Sequence, residues 1–285
     1  MTTNETRAAH GGRVWLITGA SSGFGYALAE AVLAAGDTVV AAARRVEPLA
    51  ELVARYPAKA RAIALDVTDQ QAAAAAVADV VLWYGRIDVL VNNAGRGMIG
   101  AVEETTDREL RELMDLHFFG PAALTRAVLP HLRAQRSGAI VQLTSMGGRM
   151  SFAGAGGYSS SKFALTGLTE ALAEEVAPFG IKVLLVEPGA FRTGFAGGAL
   201  AQTAELDAYA DTVGAFRRAL PDSDGKQAGD PAKAAAAILA ALDAEVTPLH
   251  LLLGDDAYDV VRERMQATEQ DMAAWEKVSR DVNHA

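Results

Sequence analysis

Apolar residues in this chain gather into short solid runs, and longer amphipathic stretches separate them. The runs lie in RVWLIT from Arg13, DTVVAAARR from Asp37, ARAIALDV from Ala60, IDVLVNNAG from Ile87, SGAIVQLTS from Ser137, IKVLLVEPG from Ile181 and PLHLLLG from Pro248. A run of this length bounded by turn residues predicts a strand buried on both faces. The intervening YALAEAVLAAG, DQQAAAAAVADVVLWYG and GGYSSSKFALTGLTEALAEEV read as helices, with a short helix near 46–56. Residues 106–135 read as one long helical stretch bent at Pro121. Asp230 and Pro231 supply the cap and first turn of a later helix.

Regular strand–helix alternation predicts an α/β fold: a doubly wound parallel sheet of about seven strands with helices on both faces. A single domain is expected over 13–285, after a flexible tail at 1–12. Within it, 190–229 is Gly-rich and dotted with Phe191, Phe195, Tyr209 and Phe216, and is expected to be an irregular substrate lid. Residues 255–281 read as an amphipathic helical extension, packed on a neighbour or on the lid.

Ligands in such sheets bind beyond the carboxyl ends of the strands. Gly19, Arg44, Asp66, Asn92 and Ser145 all end predicted strands, so the topology gathers them at one edge. Gly19, Gly23 and Gly25 join the first strand to its helix with GxxxGxG spacing. Such glycines permit a tight turn and turn helix N–H groups toward an anion; a bare strand–helix turn is the alternative. The second strand ends Ala43, Arg44, Arg45, with no carboxylate. An arginine there admits a 2′-phosphate, so NADP(H) is expected, with NAD(H) as the alternative.

Ser145 precedes Tyr158 by thirteen positions, and Lys162 follows Tyr158 by four, one turn along a helix. A phenol titrates near 10 when unperturbed, and a fixed cation nearby favours phenolate. Tyr158 beside Lys162, with Ser145 to hold a substrate oxygen, can move a proton on or off a carbonyl or alcohol.

Composition narrows the choice. The formal net charge of −9 argues against nucleic acid or an anionic membrane as partner. No cysteine is present, which removes disulfides and thiolate chemistry, and the five histidines lack metal-ligand spacing. No metal is expected. The polar N-terminus and the lack of a long apolar run lead to an expected cytoplasmic location.

TGASSGFG, NNAG, the Ser145–Tyr158 spacing, YSSSK and PGAFRT occur in the order seen in short-chain dehydrogenases/reductases, and the chain resembles that family from about Arg13 to at least Thr193. The resemblance implies that Gly19, Ser21, Ser22, Gly23, Phe24 and Gly25 wrap a pyrophosphate. It implies that Asp66 and Val67 contact adenine. Asn92, with Ala94 and Gly95 following, would lie beside the adenine ribose or strengthen the sheet. It makes Tyr158 the proton donor or acceptor, Lys162 the holder of the nicotinamide ribose, and Ser145 the orienter of the substrate oxygen. Pro188, Gly189 and Thr193 would border the nicotinamide. Homodimers or homotetramers would form through 106–134 and 157–179.

Two positions depart from the family pattern. His117 in DLHFFG stands where many members have an asparagine that holds a water beside the lysine. It is expected to keep that proton path; the other reading is an interior histidine with its bonds satisfied. Ser22 stands where many NADP-dependent members carry a basic residue, which leaves the 2′-phosphate to Arg44. The function implied is NADP(H)-linked interconversion of an apolar ketone or aldehyde and its alcohol, with steroid-, retinoid- and polyketide-like substrates open. A redox-neutral epimerase or dehydratase and a non-catalytic NADPH-binding regulator are the alternatives. The apolar residues expected around the pocket are Met98, Ile99, Met146, Met150, Phe152, Phe191 and Phe195.

Overall fold

A computed structural model of the chain describes residues 12–195 and 200–284. The expected tail at 1–12 therefore lies outside the described residues except for Gly12. The strands are β1 Val14–Thr18, β2 Thr38–Ala43, β3 Ala60–Ala64, β4 Val89–Asn92, β5 Gly97–Ile99, β6 Ala139–Leu143, β7 Lys182–Pro188, β8 Leu200–Gln202 and β9 His250–Leu253. The helices are α1 Gly23–Ala34, α2 Ala50–Arg55, α3 Gln70–Tyr84, α4 Asp107–Met114, α5 Gly120–Gln135, α6 Gly156–Val176, α7 Val213–Ser223, α8 Pro231–Asp243 and α9 Asp255–Arg280. Seven strands form one parallel sheet in the order β3-β2-β1-β4-β6-β7-β9, as the alternation predicts.

Strand side chains alternate between two cores. Trp15, Ile17, Val89, Val91 and Val141 pack against Leu28 and Val32 of α1 and Ile238 of α8. Leu16, Val40, Leu90 and Ile140 pack the other way, against Val77 of α3, Leu124 and Val128 of α5 and Leu172 of α6. Burial on both faces is why these strands read as solid apolar runs rather than alternating ones. From β1 the chain winds outward to β3, then crosses back to β4 on the other side of β1. The carboxyl ends of β1 and β4 thus flank the crevice where the winding reverses.

Three expectations need correction. The break in 106–135 is a π-helical turn at Asp115–Phe119, before Pro121. Pro121 lies in the first turn of α5, where a missing N–H costs little. The wider turn carries Gly120 past Val67, whose carbonyl oxygen would be 2.7 Å from an added Cβ. Second, the residues after β4 include β5, which pairs in parallel with β8. Third, 190–229 is ordered over most of its described length, with β8, a 3₁₀ turn at Asp207–Tyr209, and α7.

β5, β8, the 3₁₀ turn and α7 form a cap with its own small core, in which Ile99, Ala101 and Val213 are joined by Leu200, Tyr209, Phe216 and Leu220. It also has a dry ion pair. Arg217 Nη2 lies 2.9 Å from Glu104 Oε2, with both side chains almost fully buried. The same nitrogen donates to Thr203 Oγ1 at 2.7 Å. Glu104 accepts from Leu206 N (2.9 Å) and Ala101 N (2.7 Å). These N–H groups, Leu206 first, and Arg217 hold its carboxyl below the ordinary value against the opposing effect of burial.

Removing one partner of a buried pair strands the other charge. Glu104→Ala is therefore expected to loosen the cap and to speed proteolytic cleavage within 200–212 by about tenfold or more. An unchanged cleavage rate would show that the pair does not hold the cap.

Candidate active site

The turn after β1 has to pass close to the end of β4. Gly19 and Gly23 have φ of +63° and +53°, a region that a Cβ disfavours. A Cβ on Gly25 would lie 2.5 Å from both Asn93 Nδ2 and Gly19 O. Asn93 Nδ2 donates to Thr18 O (2.9 Å) and Gly19 O (3.1 Å). Thr18 Oγ1 accepts from Asn93 N (2.9 Å) and Ala94 N (3.1 Å). The two strand ends are thus tied together by side chains of both. Sequence reasoning passed over Asn93 and took its neighbours, although NNAG contained it.

Ser22 stands at the N-cap of α1 but gives it no side-chain cap. The first-turn N–H groups, with the helix dipole behind them, make a cradle suited to an anion such as a pyrophosphate. Ser21 lies in the same turn. Phe24 packs on Phe191, ring centroids 4.9 Å apart. A Cβ on Gly23 would lie 3.1 Å from Thr193 Cβ, so the segment after β7 closes over the glycine turn. Gly189 N donates to Leu253 O (2.9 Å), and Ala190 N donates to Asp256 Oδ2 in the first turn of α9 (2.7 Å).

Arg44 and Asp66 are exposed just past the ends of β2 and β3. Thr68 donates to Asp66 Oδ1 from its N–H (3.0 Å) and its hydroxyl (2.8 Å). These bonds, with the Arg44 charge, hold the Asp66 carboxyl below its ordinary value. Val67 is buried in the core. Asn92 is buried too, and its Nδ2 lies 3.4 Å from both Pro121 O and Thr125 Oγ1. These contacts tie β4 to α5.

Ser145 follows β6. Its Oγ accepts from Gly147 N (3.0 Å) and lies 3.4 Å from Pro188 O; the Tyr158 ring comes alongside, since a Cβ on Gly147 would meet Tyr158 Cε1 at 3.2 Å and Ser145 Oγ at 3.4 Å. Tyr158 and Lys162 occupy the first two turns of α6. The Tyr158 ring lies between His117 (5.6 Å, edge-on) and Phe195 (6.0 Å). Lys162 Nζ is 5.8 Å from the ring centroid and donates to Leu143 O at 2.8 Å.

The expected lowering of the phenol pKa by the ammonium is not what this site shows. Tyr158 keeps some accessible surface, but its surroundings are dense, and burial pushes it up to about 12 against the opposing Ser145 hydrogen bond. Burial also brings Lys162 down to about 7. Each charged form is desolvated, and the lysine proton is directed at a backbone carbonyl rather than at the phenol.

His117 rides on the π turn and is buried. Its Nε2 accepts from Arg96 N at 3.2 Å, which places the proton of the neutral ring on Nδ1. Nδ1 then donates to Ser161 Oγ (2.9 Å), which donates to Tyr158 O (2.7 Å). Burial, then Lys162 and Arg96, keep the ring well below its ordinary pKa. Both nitrogens are engaged. Gly95 leaves room for the ring, since a Cβ there would meet Nε2 at 3.1 Å.

Of the apolar residues expected around the pocket, Met98, Ile99 and Met150 are buried, while Phe152 and Phe195 keep over a third of their surface. Phe191 does not join them; it packs with Phe24 and Gly229 instead. Among the described residues there is no His/Cys/Asp/Glu cluster suited to a metal, and no helix is long and apolar enough to cross a membrane.

Comparison with known proteins agrees with this architecture. The family model described as short chain dehydrogenase matches residues 13–204. The chain is 39% identical to Oxidoreductase BOA17 of Botryotinia fuckeliana, over 94% of this chain and 98% of that one. It is 44% identical to the 3-ketodihydrosphingosine reductase of Bacteroides thetaiotaomicron, over 64% of this chain and 65% of that one. A short-chain dehydrogenase crystal structure from Streptomyces avermitilis superposes with a TM-score of 0.92 at 57% identity, covering 96% of this chain and 100% of that one. More distant neighbours hold a nicotinamide cofactor. One from Burkholderia phymatum is complexed with NAD (26% identity, TM-score 0.81, 92% and 96% covered) and a metagenomic one with NADP (29%, 0.67, 85% and 96%).

The lysine shift carries a pH signature. Folded Lys162 titrates near 7 and an ordinary lysine at 10.5. Below the lower value both states hold the proton and the burial cost is felt in full. Between the two values the unfolded chain binds more protons, so stability rises with pH. Lys162→Met should flatten that rise in urea unfolding over about pH 7–9.5. Equal slopes in the two proteins would mean an unshifted lysine.

Proposed function

The chain belongs to the short-chain dehydrogenase family and is a nicotinamide-dependent oxidoreductase; from that premise we propose that it uses NADP(H) to reduce an apolar ketone, with Tyr158 as the proton donor. The observation that carries the reading is the placing of Ser145 Oγ and the edge of the Tyr158 ring together beside Gly147, with a phenol that burial keeps protonated across the neutral range. A protonated phenol beside a serine hydroxyl is arranged to hold a carbonyl oxygen with two donors and to give one proton away. When bound, the nicotinamide supplies the hydride.

The remaining roles follow from position. Ser145 orients the substrate oxygen. Lys162 anchors the cofactor ribose and sets the charge beside Tyr158. The glycine turn, with Ser21, Ser22 and Phe24, cradles the pyrophosphate, while Pro188, Gly189 and Thr193 border the nicotinamide. Arg44 takes the 2′-phosphate, supported by its exposed place past β2 and by the lack of a carboxylate at the end of that strand. Asp66 and Val67 border the adenine. His117 is a positioning residue: its two bonds link Arg96 N to the first turn of α6, which leaves no ring nitrogen for a relay.

Met98, Ile99, Met150, Phe152 and Phe195 give the substrate an apolar wall. The likeness to a protein named 3-ketodihydrosphingosine reductase supports a ketone as the group reduced. The cap at 190–229 serves as the lid of a single catalytic domain. Exposed Leu110, Phe119, Phe163 and Leu168 support homodimers or homotetramers through α4–α6.

Tyr158→Phe should lower kcat for NADPH-linked ketone reduction by about 10²–10⁴-fold, the usual contribution of a general acid. An undiminished rate on a verified substrate would overturn the mechanism. Arg44→Ala should weaken NADPH about tenfold or more, as loss of a charge-assisted bond does, and should leave NADH nearly unchanged. Equal effects on both cofactors would remove Arg44 from that role.

A further inference from the structure

From Arg262 to His284 every residue is exposed, although α9 runs unbroken to Arg280. This arm is not polar all round. Tyr258, Val261, Met265, Thr268, Met272 and Trp275 recur at alternating steps of three and four, the seam of a two-helix coiled coil. Val261 is buried against the chain's own body, whereas Met265, Met272 and Trp275 are 57%, 70% and 63% exposed. Thr268 donates its hydroxyl to Arg264 O at 3.0 Å, so that position of the seam is satisfied within its own helix. Helices draw most of their stability in proteins from packing an apolar face, and an isolated one of this length is marginal in water.

We propose that the arm is covered by the arm of a second copy of this chain, running antiparallel. In that register Tyr258 meets the partner's Trp275, Met265 meets the partner's Thr268, and the partner's Met272 falls between Tyr258 and Met265, because Val261 is turned into its own body. Flanking charges choose the direction. Arg262 faces the partner's Glu269, and Arg264 faces the partner's Asp271; two-fold symmetry repeats both pairs. A parallel pair would set Asp271 against the partner's Glu276 and would bring both bodies to one end. A lipid surface fits less well, because four basic side chains against five acidic ones between Arg262 and Asp281 give no attraction to anionic headgroups.

The absence of cysteine allows a clean test in the full chain. Met265→Cys and Thr268→Cys proteins are prepared separately, mixed and mildly oxidised. The mixture should cross-link about tenfold faster than either protein alone, since only the mixed pair is opposed in the antiparallel register. Met272→Lys/Trp275→Lys should weaken association in sedimentation about a hundredfold or more while turnover stays unchanged. Rapid cross-linking of either single variant alone would show parallel arms and overturn the register. No cross-link in any sample would overturn the pairing, as would binding of the unaltered chain to phosphatidylserine vesicles with the arm protected from protease.

Discussion

The site depends on how closely two pieces of backbone approach at the point where the winding reverses. The turn after β1 can lie against the end of β4 because Gly19 and Gly25 carry no β-carbon where Asn93 and Ala94 need the space. Asn93 and Thr18 then lock that approach with four hydrogen bonds. With this join fixed, α1 starts at a defined place, its uncapped N-terminus meets the crevice, and Thr193 can close over Gly23. The anion cradle follows from a steric permission rather than from any charged side chain.

Protons in the site are governed by burial more than by charge pairing. Tyr158, Lys162 and His117 form one packed group, and the neutral form of each is favoured for the same reason. A phenol that holds its proton is a better donor than acceptor at neutral pH. The lysine titrating near neutrality makes the group responsive to added charge, and the phosphates of a dinucleotide are such a charge.

Much of this was legible in the sequence. The five inner strands, buried on both faces, leave solid apolar runs, whereas β3 and β9 at the sheet edges are only partly covered; the glycine turn, the serine and the Tyr158–Lys162 pair all follow such runs or begin a helix. What stayed hidden depends on contacts between distant residues. β5 and β8 are three residues each, too short to print a pattern. Glu104 and Arg217 stand 113 residues apart, and nothing local marks either as buried. From the sequence His117 reads equally as a relay or as a satisfied interior group, because its partners Arg96 N and Ser161 stand 21 and 44 residues away. Adjacency on a helix says nothing of how much water is excluded, so the upward shift of the phenol is not legible in the Tyr158–Lys162 spacing. A proline marks a bend in sequence, but a π turn such as Asp115–Phe119 leaves no residue signature.

The dry Glu104–Arg217 contact also bears on how freely α7 can shift. Parting α7 from the segment after β5 would strand a guanidinium held by Glu104 and the Thr203 hydroxyl, and a carboxylate held by Arg217 and two backbone N–H groups. That cost stiffens the join. Phe216 sits on the same helix with its ring 5.2 Å from that of Phe152, so the aromatic pair inherits the same rigidity.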